Sequence, residues 1–241
     1  MEGDTHTKSV AVILASGVGE RFGGGVPKQY VELQGAPIVM HSLLTFDSLH
    51  LFDLLVIVAR DEEFPRLRAM LGRVGIVSPV AMVSGGATRA ESAYRAVGAL
   101  SGYEDATSVL IHDAARPLMS CGLAERMLDA LRDCRAAVPG IRSSDAILEL
   151  QPDGACAPRR PRDVYRLVQT PQAFQLGVVR RAYARAFDGA EVTWDDDASV
   201  VARFLPEVEV KYVEGERENF KITHHEDLVL AGMVLKRRGE K

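Results

Sequence analysis

With 47% hydrophobic and 26% charged residues over 241 positions, the chain has the composition of a folded globular domain, which excludes disorder as its overall state. A formal charge of -4 argues against a nucleic-acid binder, which needs a basic surplus, although a basic cleft can sit on an acidic body. No apolar core opens the chain and no apolar run reaches the roughly 18 residues a membrane span requires, so the expectation is a cytosolic protein.

The length suits one α/β domain, with or without a small appendage, burying roughly three quarters of its unfolded surface. Cys121, Cys134 and Cys156 are odd in number and lack Cys-x-x-Cys spacing, so they read as reduced thiols rather than as disulfides or zinc ligands.

The first element is the strongest. Val10 to Ala15 is an uninterrupted apolar run that breaks at Ser16-Gly17-Val18-Gly19, and it reads as a buried strand opening into a loop. Further glycines at 23 to 25, with Arg21 and Lys28 on the same segment, let backbone N–H groups and two cations face a phosphate chain. A dinucleotide fingerprint fails because Phe22 occupies its third glycine position, and a P-loop fails because Lys28 stands between Pro27 and Gln29.

Pro37 then suits the first turn of a helix to about Phe46. Leu54 to Ala59 is a second strand, followed by a helix from Glu62 to Leu71. Val80 to Val83 is a third strand, stopping at Ser84-Gly85-Gly86, and Thr88 with Glu91 forms a capping box for a helix to about Leu100. Val109 to Ile111 is a fourth strand that delivers His112-Asp113-Ala114-Ala115-Arg116-Pro117, and Leu123 to Arg132 is helical before an Ala136-Ala137-Val138 strand. Such alternation demands a mostly parallel, Rossmann-like sheet covered by helices on both faces, with ligands beyond the carboxyl ends of the strands. The loops at 15 to 28, 84 to 92 and 112 to 117 would therefore share one edge.

From about 139 to 162 the pattern breaks. Ile147 to Leu150, a turn at Pro152-Asp153-Gly154 and an arginine cluster read as a hairpin arm that needs something to pack on, a second copy of the chain being the expectation. Helices from Val178 to Phe187 and Asp195 to Phe204, a strand from Val208 to Val213, and a helix from Asp227 to Arg237 capped by Thr223 and Glu226 complete the chain.

The loop Leu14-Ala15-Ser16-Gly17-x-Gly19-x-Arg21, with Pro27-Lys28-Gln29-Tyr30 and the block from His112 to Pro117, resembles the 2-C-methyl-D-erythritol 4-phosphate cytidylyltransferase family. The resemblance extends over about residues 9 to 235, and polyol-phosphate cytidylyltransferases are its nearest alternative. It implies a single nucleotidyltransferase domain over 1–241 that forms a homodimer through the arm. It implies CTP and a polyol phosphate as partners, with no nucleic acid and no membrane, and a Mg²⁺ or other divalent cation as cofactor.

Arg21 and Lys28 would then grip the triphosphate and stabilise charge at the reacting phosphorus, while Ala15, Ser16, Gly17, Gly19, Gly86, Arg89, Ser92, Asp113 and Ala114 would line the nucleotide. Asp113 is the expected metal ligand; on residue type alone it could equally cap a helix or pair with Arg116. Arg162, or Arg160 two places earlier, and Lys221 would orient the acceptor, and Arg116, Thr170 and Asp196 are the expected substrate contacts. Asp145-Ala146-Ile147-Leu148 departs from the family's Asp-Thr-hydrophobic-Lys, which leaves a ribitol-type acceptor open, and a non-catalytic CTP-binding regulator is the remaining alternative.

Overall fold

The computed structural model describes residues 7–17, 19, 22, 26–157, 161–188, 194 and 196–239. The first half of the chain contains β1 (Ser9–Leu14), a short hairpin of β2 (Glu32–Leu33) and β3 (Ala36–Pro37), α1 (Ile38–Ser48), β4 (Leu54–Ala59), α2 (Phe64–Leu71), β5 (Val80–Ser84) and α3 (Arg89–Ala99). The second contains β6 (Ser108–Asp113), α4 (Cys121–Ala130), β7 (Ala136–Ile141), β8 (Leu167–Val168), β9 (Gln172–Gln175), α5 (Leu176–Ala186), α6 (Asp197–Phe204), β10 (Lys211–Glu214) and α7 (His225–Gly239).

The main sheet runs β10-β7-β9-β6-β1-β4-β5, with β8 beside β7. β1 lies at its centre, parallel to β4 on one side and to β6 on the other. The alternation of side chains explains its unbroken apolar sequence. Val10, Val12 and Leu14 join the core under α3, α5 and α6, whereas Ala11, Ile13 and Ala15 join the core under α1, α2 and α4. The expected mostly parallel sheet is therefore present. Its exceptions are β9, which enters between β6 and β7 antiparallel to both, and the short β8, antiparallel to β7.

Register places the site. Leu14 pairs with Val58 and with Asp113, and Ala59 pairs with Ser84, so the carboxyl ends of β1, β4, β5 and β6 are nearly level. A third, smaller core of Phe22, Leu33, Ile38, Leu118, Ile222 and Ala231 fastens α7 beside that edge. The cap of α7 differs from the expected one: Asp227 accepts from the backbone N–H groups of Thr223 and His224 at 2.7 and 2.8 Å. A carboxylate four residues on reaches both orphan donors, which Glu226, one residue away in helical phase, does not.

The arm is slight. One antiparallel bridge joins Leu150 to Cys156, closed by a turn with Gly154 at φ +83°. Its Leu148 and Leu150 are exposed, as are Val164, Leu167 and Val168 nearby. Among the described residues no helix is long and apolar enough to cross a membrane.

Candidate active site

The first wall of the site is the loop after β1, which is pinned rather than draped. Ala15 N–H donates to Val58 O at 2.7 Å, and the buried Gln29 amide donates to the carbonyls of Ala15 and Gly17 at 2.6 and 2.8 Å. Tying two loop carbonyls back to Gln29 satisfies them within the fold and holds this backbone in one arrangement. Gly19 adopts φ +71°, and a Cβ there would lie 3.3 Å from Lys28 Cγ, so glycine meets both demands of the turn. Lys28 opens the 3₁₀ turn Lys28–Tyr30, and its Nζ donates to Ile222 O at 2.9 Å.

The second wall follows β5. Thr88 caps α3 by accepting from Glu91 N–H at 3.0 Å, and Glu91 reaches back to Ala87 N–H at 2.7 Å. Ser92 Oγ donates to Thr88 O, accepts from Gly86 N–H at 3.0 Å and lies 2.8 Å from Ser16 Oγ. Its one proton is spent on Thr88, so Ser16 is the donor between the two hydroxyls. A Cβ on Gly85 would stand 2.3 Å from Ser16 Cβ, so the two walls touch where glycine permits it.

The floor is a chain of alternating charge. Asp113 Oδ1 accepts from Arg89 Nε at 2.9 Å and Oδ2 accepts from Lys221 Nζ at 2.7 Å. Arg89 also grips the fully buried Asp197 with both Nη atoms, at 3.1 and 2.9 Å. Burial would raise the Asp113 carboxyl, but Arg89, Lys221 and Arg116 together hold it well below the usual carboxylate range. Burial likewise opposes the Arg89 charge, and Asp197 and then Asp113 outweigh it, keeping the guanidinium firmly protonated.

These walls enclose a cavity of about 590 Å³ lined by Ala15, Ser16, Gly17, Gly19, Lys28, Gly86, Arg89, Ser92, Asp113, Ala114 and Lys221, among others. It is lined by glycines and small side chains together with the ammonium groups of Lys28 and Lys221. That lining suits a nucleoside with a polyphosphate tail.

Residues 9–237 match the profile of the IspD family, 2-C-methyl-D-erythritol 4-phosphate cytidylyltransferase. The chain belongs to this family. Among curated relatives, the 2-C-methyl-D-erythritol 4-phosphate cytidylyltransferase of Thermobifida fusca is 38% identical, over 94% of this chain and 92% of that protein. Among solved structures, 4-diphosphocytidyl-2C-methyl-D-erythritol synthase from Anaerococcus prevotii superposes with a TM-score of 0.83 at 27% identity, covering 96% of this chain and 99% of that one. A bifunctional ribulose 5-phosphate reductase/CDP-ribitol pyrophosphorylase of Haemophilus influenzae is 31% identical over 96% of this chain, which spans 49% of that protein.

Within this IspD-family site, several expected contacts stand behind the cavity wall. Arg116 donates to the carbonyls of Asn219 and Val168 at 2.8 and 3.2 Å, clamping the segment that carries Lys221. Thr170 Oγ1 accepts from Asp113 N–H and lies 3.0 Å from His112 Nδ1, so its hydroxyl is engaged beneath the strand end. The set is complete when His112 carries its proton on Nε2, toward Arg116 O at 3.1 Å. Burial pushes His112 down to about 4, and it is neutral at physiological pH. Asp196 caps α6, accepting from Ser199 N–H at 2.9 Å and from the Ser199 hydroxyl at 2.6 Å.

Arg162 sits on an exposed 3₁₀ turn, Arg162–Val164, and is not among the residues that line the cavity. Arg21, Arg160 and Asp195 lie outside the described residues. Among the cavity and support residues that sequence reasoning passed over are Gln29, Asp197 and Arg60, which lines the cavity and pairs with Glu62 and Glu63 at 3.1 and 3.4 Å.

Proposed function

We propose that the chain transfers CMP from CTP to the phosphate of 2-C-methyl-D-erythritol 4-phosphate, releasing pyrophosphate and serving isoprenoid precursor synthesis. The observation that carries this reading is the meeting of the family's nucleotide motifs, distant in sequence, in one cavity that Lys28 and Lys221 also line. An acceptor phosphate oxygen attacks the α-phosphorus in line, the bond to the bridging oxygen of the β-phosphate breaks, and pyrophosphate departs. The chain supplies position and fixed positive charge rather than a nucleophile. Lys28, with Arg21 on the same loop, neutralises the triphosphate, and Lys221 stands where nucleotide and acceptor phosphates meet.

A Mg²⁺ ion would add charge neutralisation at the triphosphate. Among the described residues lining the cavity Asp113 is the one carboxylate, and no group of three metal-ligating side chains is present among the described residues. That donor set fits an ion held mainly by phosphate and water, with Asp113 as its protein contact.

Homodimerisation through the arm is part of the proposal. Exposed Leu148, Leu150, Val164, Leu167 and Val168 would be covered, and Arg162, which does not line its own cavity, would need such an assembly or a movement of the arm to meet an acceptor. A ribitol 5-phosphate acceptor is the second reading, favoured by the CDP-ribitol relative and by Ala146 and Leu148 in the arm. Pyrophosphate release measured across four nucleoside triphosphates and a panel of polyol phosphates tests all of this. The expected result is CTP with the methylerythritol acceptor; turnover with ribitol 5-phosphate alone overturns the acceptor, and no turnover with CTP overturns the activity.

A further inference from the structure

Arg89 is held by two carboxylates that differ in kind. Asp113 lines the cavity, whereas Asp197, fully buried at the start of α6, does not. Asp197 Oδ1 also accepts a hydrogen bond from the hydroxyl of Tyr183, itself fully buried on α5. The guanidinium is a rigid plane, so seating both Nη atoms on Asp197 fixes the direction of Nε, the one N–H that meets Asp113. Asp113 in turn holds Lys221 through its other oxygen. The order Tyr183, Asp197, Arg89, Asp113, Lys221 thus runs from the core to the cavity without a gap.

Two observations set this apart from scaffolding. The N-terminus of α6 is already capped by Asp196, so the helix does not need the Asp197 carboxylate. A buried ion pair is also a weak source of stability, since apolar side chains of similar volume commonly do as well.

We infer that Asp197, supported by Tyr183, is a positioning residue for the nucleotide site: it sets the angle of Arg89 against Asp113 and, through that shared carboxylate, the place of Lys221. This rests on the reading of the cavity as a CTP site. Asp197→Asn keeps the shape and leaves Arg89 with one charged partner, so the guanidinium can swing onto Asp113 and compete with Lys221.

The test is calorimetric titration of CTP into the full chain, with the thermal midpoint followed in parallel. The dissociation constant is expected to rise about tenfold in Asp197→Asn, the equivalent of one hydrogen bond to a charged group, and about twofold in Tyr183→Phe. In an Arg89→Gln background, where there is no guanidinium to aim, Asp197→Asn should add less than about twofold. The same factor in both backgrounds would show Asp197 acting without Arg89 and overturn the inference, as would wild-type affinity in Asp197→Asn alone. Should the asparagine variant fail to fold, Tyr183→Phe decides, and an unchanged dissociation constant overturns the inference. A wild-type chain that binds no CTP removes the nucleotide reading and this inference together, whereas wild-type binding with an indifferent Asp197→Asn removes only the latter.

Discussion

Gln29 offers the sharpest test of whether the glycine loop is preorganised. Its amide nitrogen serves two carbonyls, Ala15 O at 2.6 Å and Gly17 O at 2.8 Å, from a buried position. Gln29→Ala removes both bonds; at about 1 kcal/mol net each, the loop loses about 2 kcal/mol of its bias toward this conformation, or about 30-fold in CTP affinity. The 3₁₀ turn that carries Lys28 is closed by backbone bonds, Tyr30 N–H to Pro27 O and Val31 N–H to Lys28 O, which the substitution leaves intact. The loss should therefore appear in the KM for CTP far more than in kcat.

Gln29→Glu has the same length and turns both donors into acceptors aimed at carbonyls. Its ionised form is expelled or takes up a proton, because burial and two facing oxygens disfavour the charge. Once protonated it can donate one of the two bonds. Steady-state pyrophosphate release should show a KM for CTP above that of the alanine variant at about pH 8, falling toward it near pH 6. A KM within about twofold of wild type in Gln29→Ala would refute the idea that this side chain sets the loop.

Lys28→Ala should lower turnover by roughly 10²–10³-fold, as expected for loss of one preorganised donor, and near-wild-type turnover would remove it from the reaction. Gly85→Ala places a methyl 2.3 Å from Ser16 Cβ and must push the two walls apart, so CTP binding measured by calorimetry should be lost from a chain that still folds; retained affinity would refute the close-approach argument. His112 is pushed from 6.5 down to about 4, so below pH 6.5 the unfolded chain takes up a proton that the native state refuses, and stability falls as pH falls. The drop between pH 7 and pH 5 is about 2 kcal/mol by denaturant unfolding. Asp113 adds nothing in that window, because its contribution is lost only as pH falls below its unfolded value of 3.8, and a flat profile would mean that His112 is protonated in the fold.

The strands were legible because a strand covered on both faces must be apolar throughout, and β4 has the bounds that its Leu54-to-Ala59 run predicts. The nucleotide side was legible for a related reason, since strand ends in such a sheet must turn, and the glycines mark where the turn faces a ligand. β9 was not, because Gln172–Gln175 is four residues long and its antiparallel seat between β6 and β7 depends on pairings far away in sequence.

Asp197 is the instructive case. In a run of three aspartates at a helix start, dipole and cap account for all three, and composition cannot say which one turns inward. Helical phase could have: Asp197 lies one turn before Val200 and Val201, on the stripe that enters the core, whereas Asp196 precedes that stripe and caps. A carboxylate on the buried stripe requires a cation, and Arg89 sits on α3, which packs against α5 and thus against Tyr183. The same reasoning applies to Gln29, a buried amide that must find partners and finds the two carbonyls of the loop before it. Buried polar side chains on apolar faces are thus where a sequence of this fold class declares which loop or cation it holds in place, even when the partner lies more than 100 residues away.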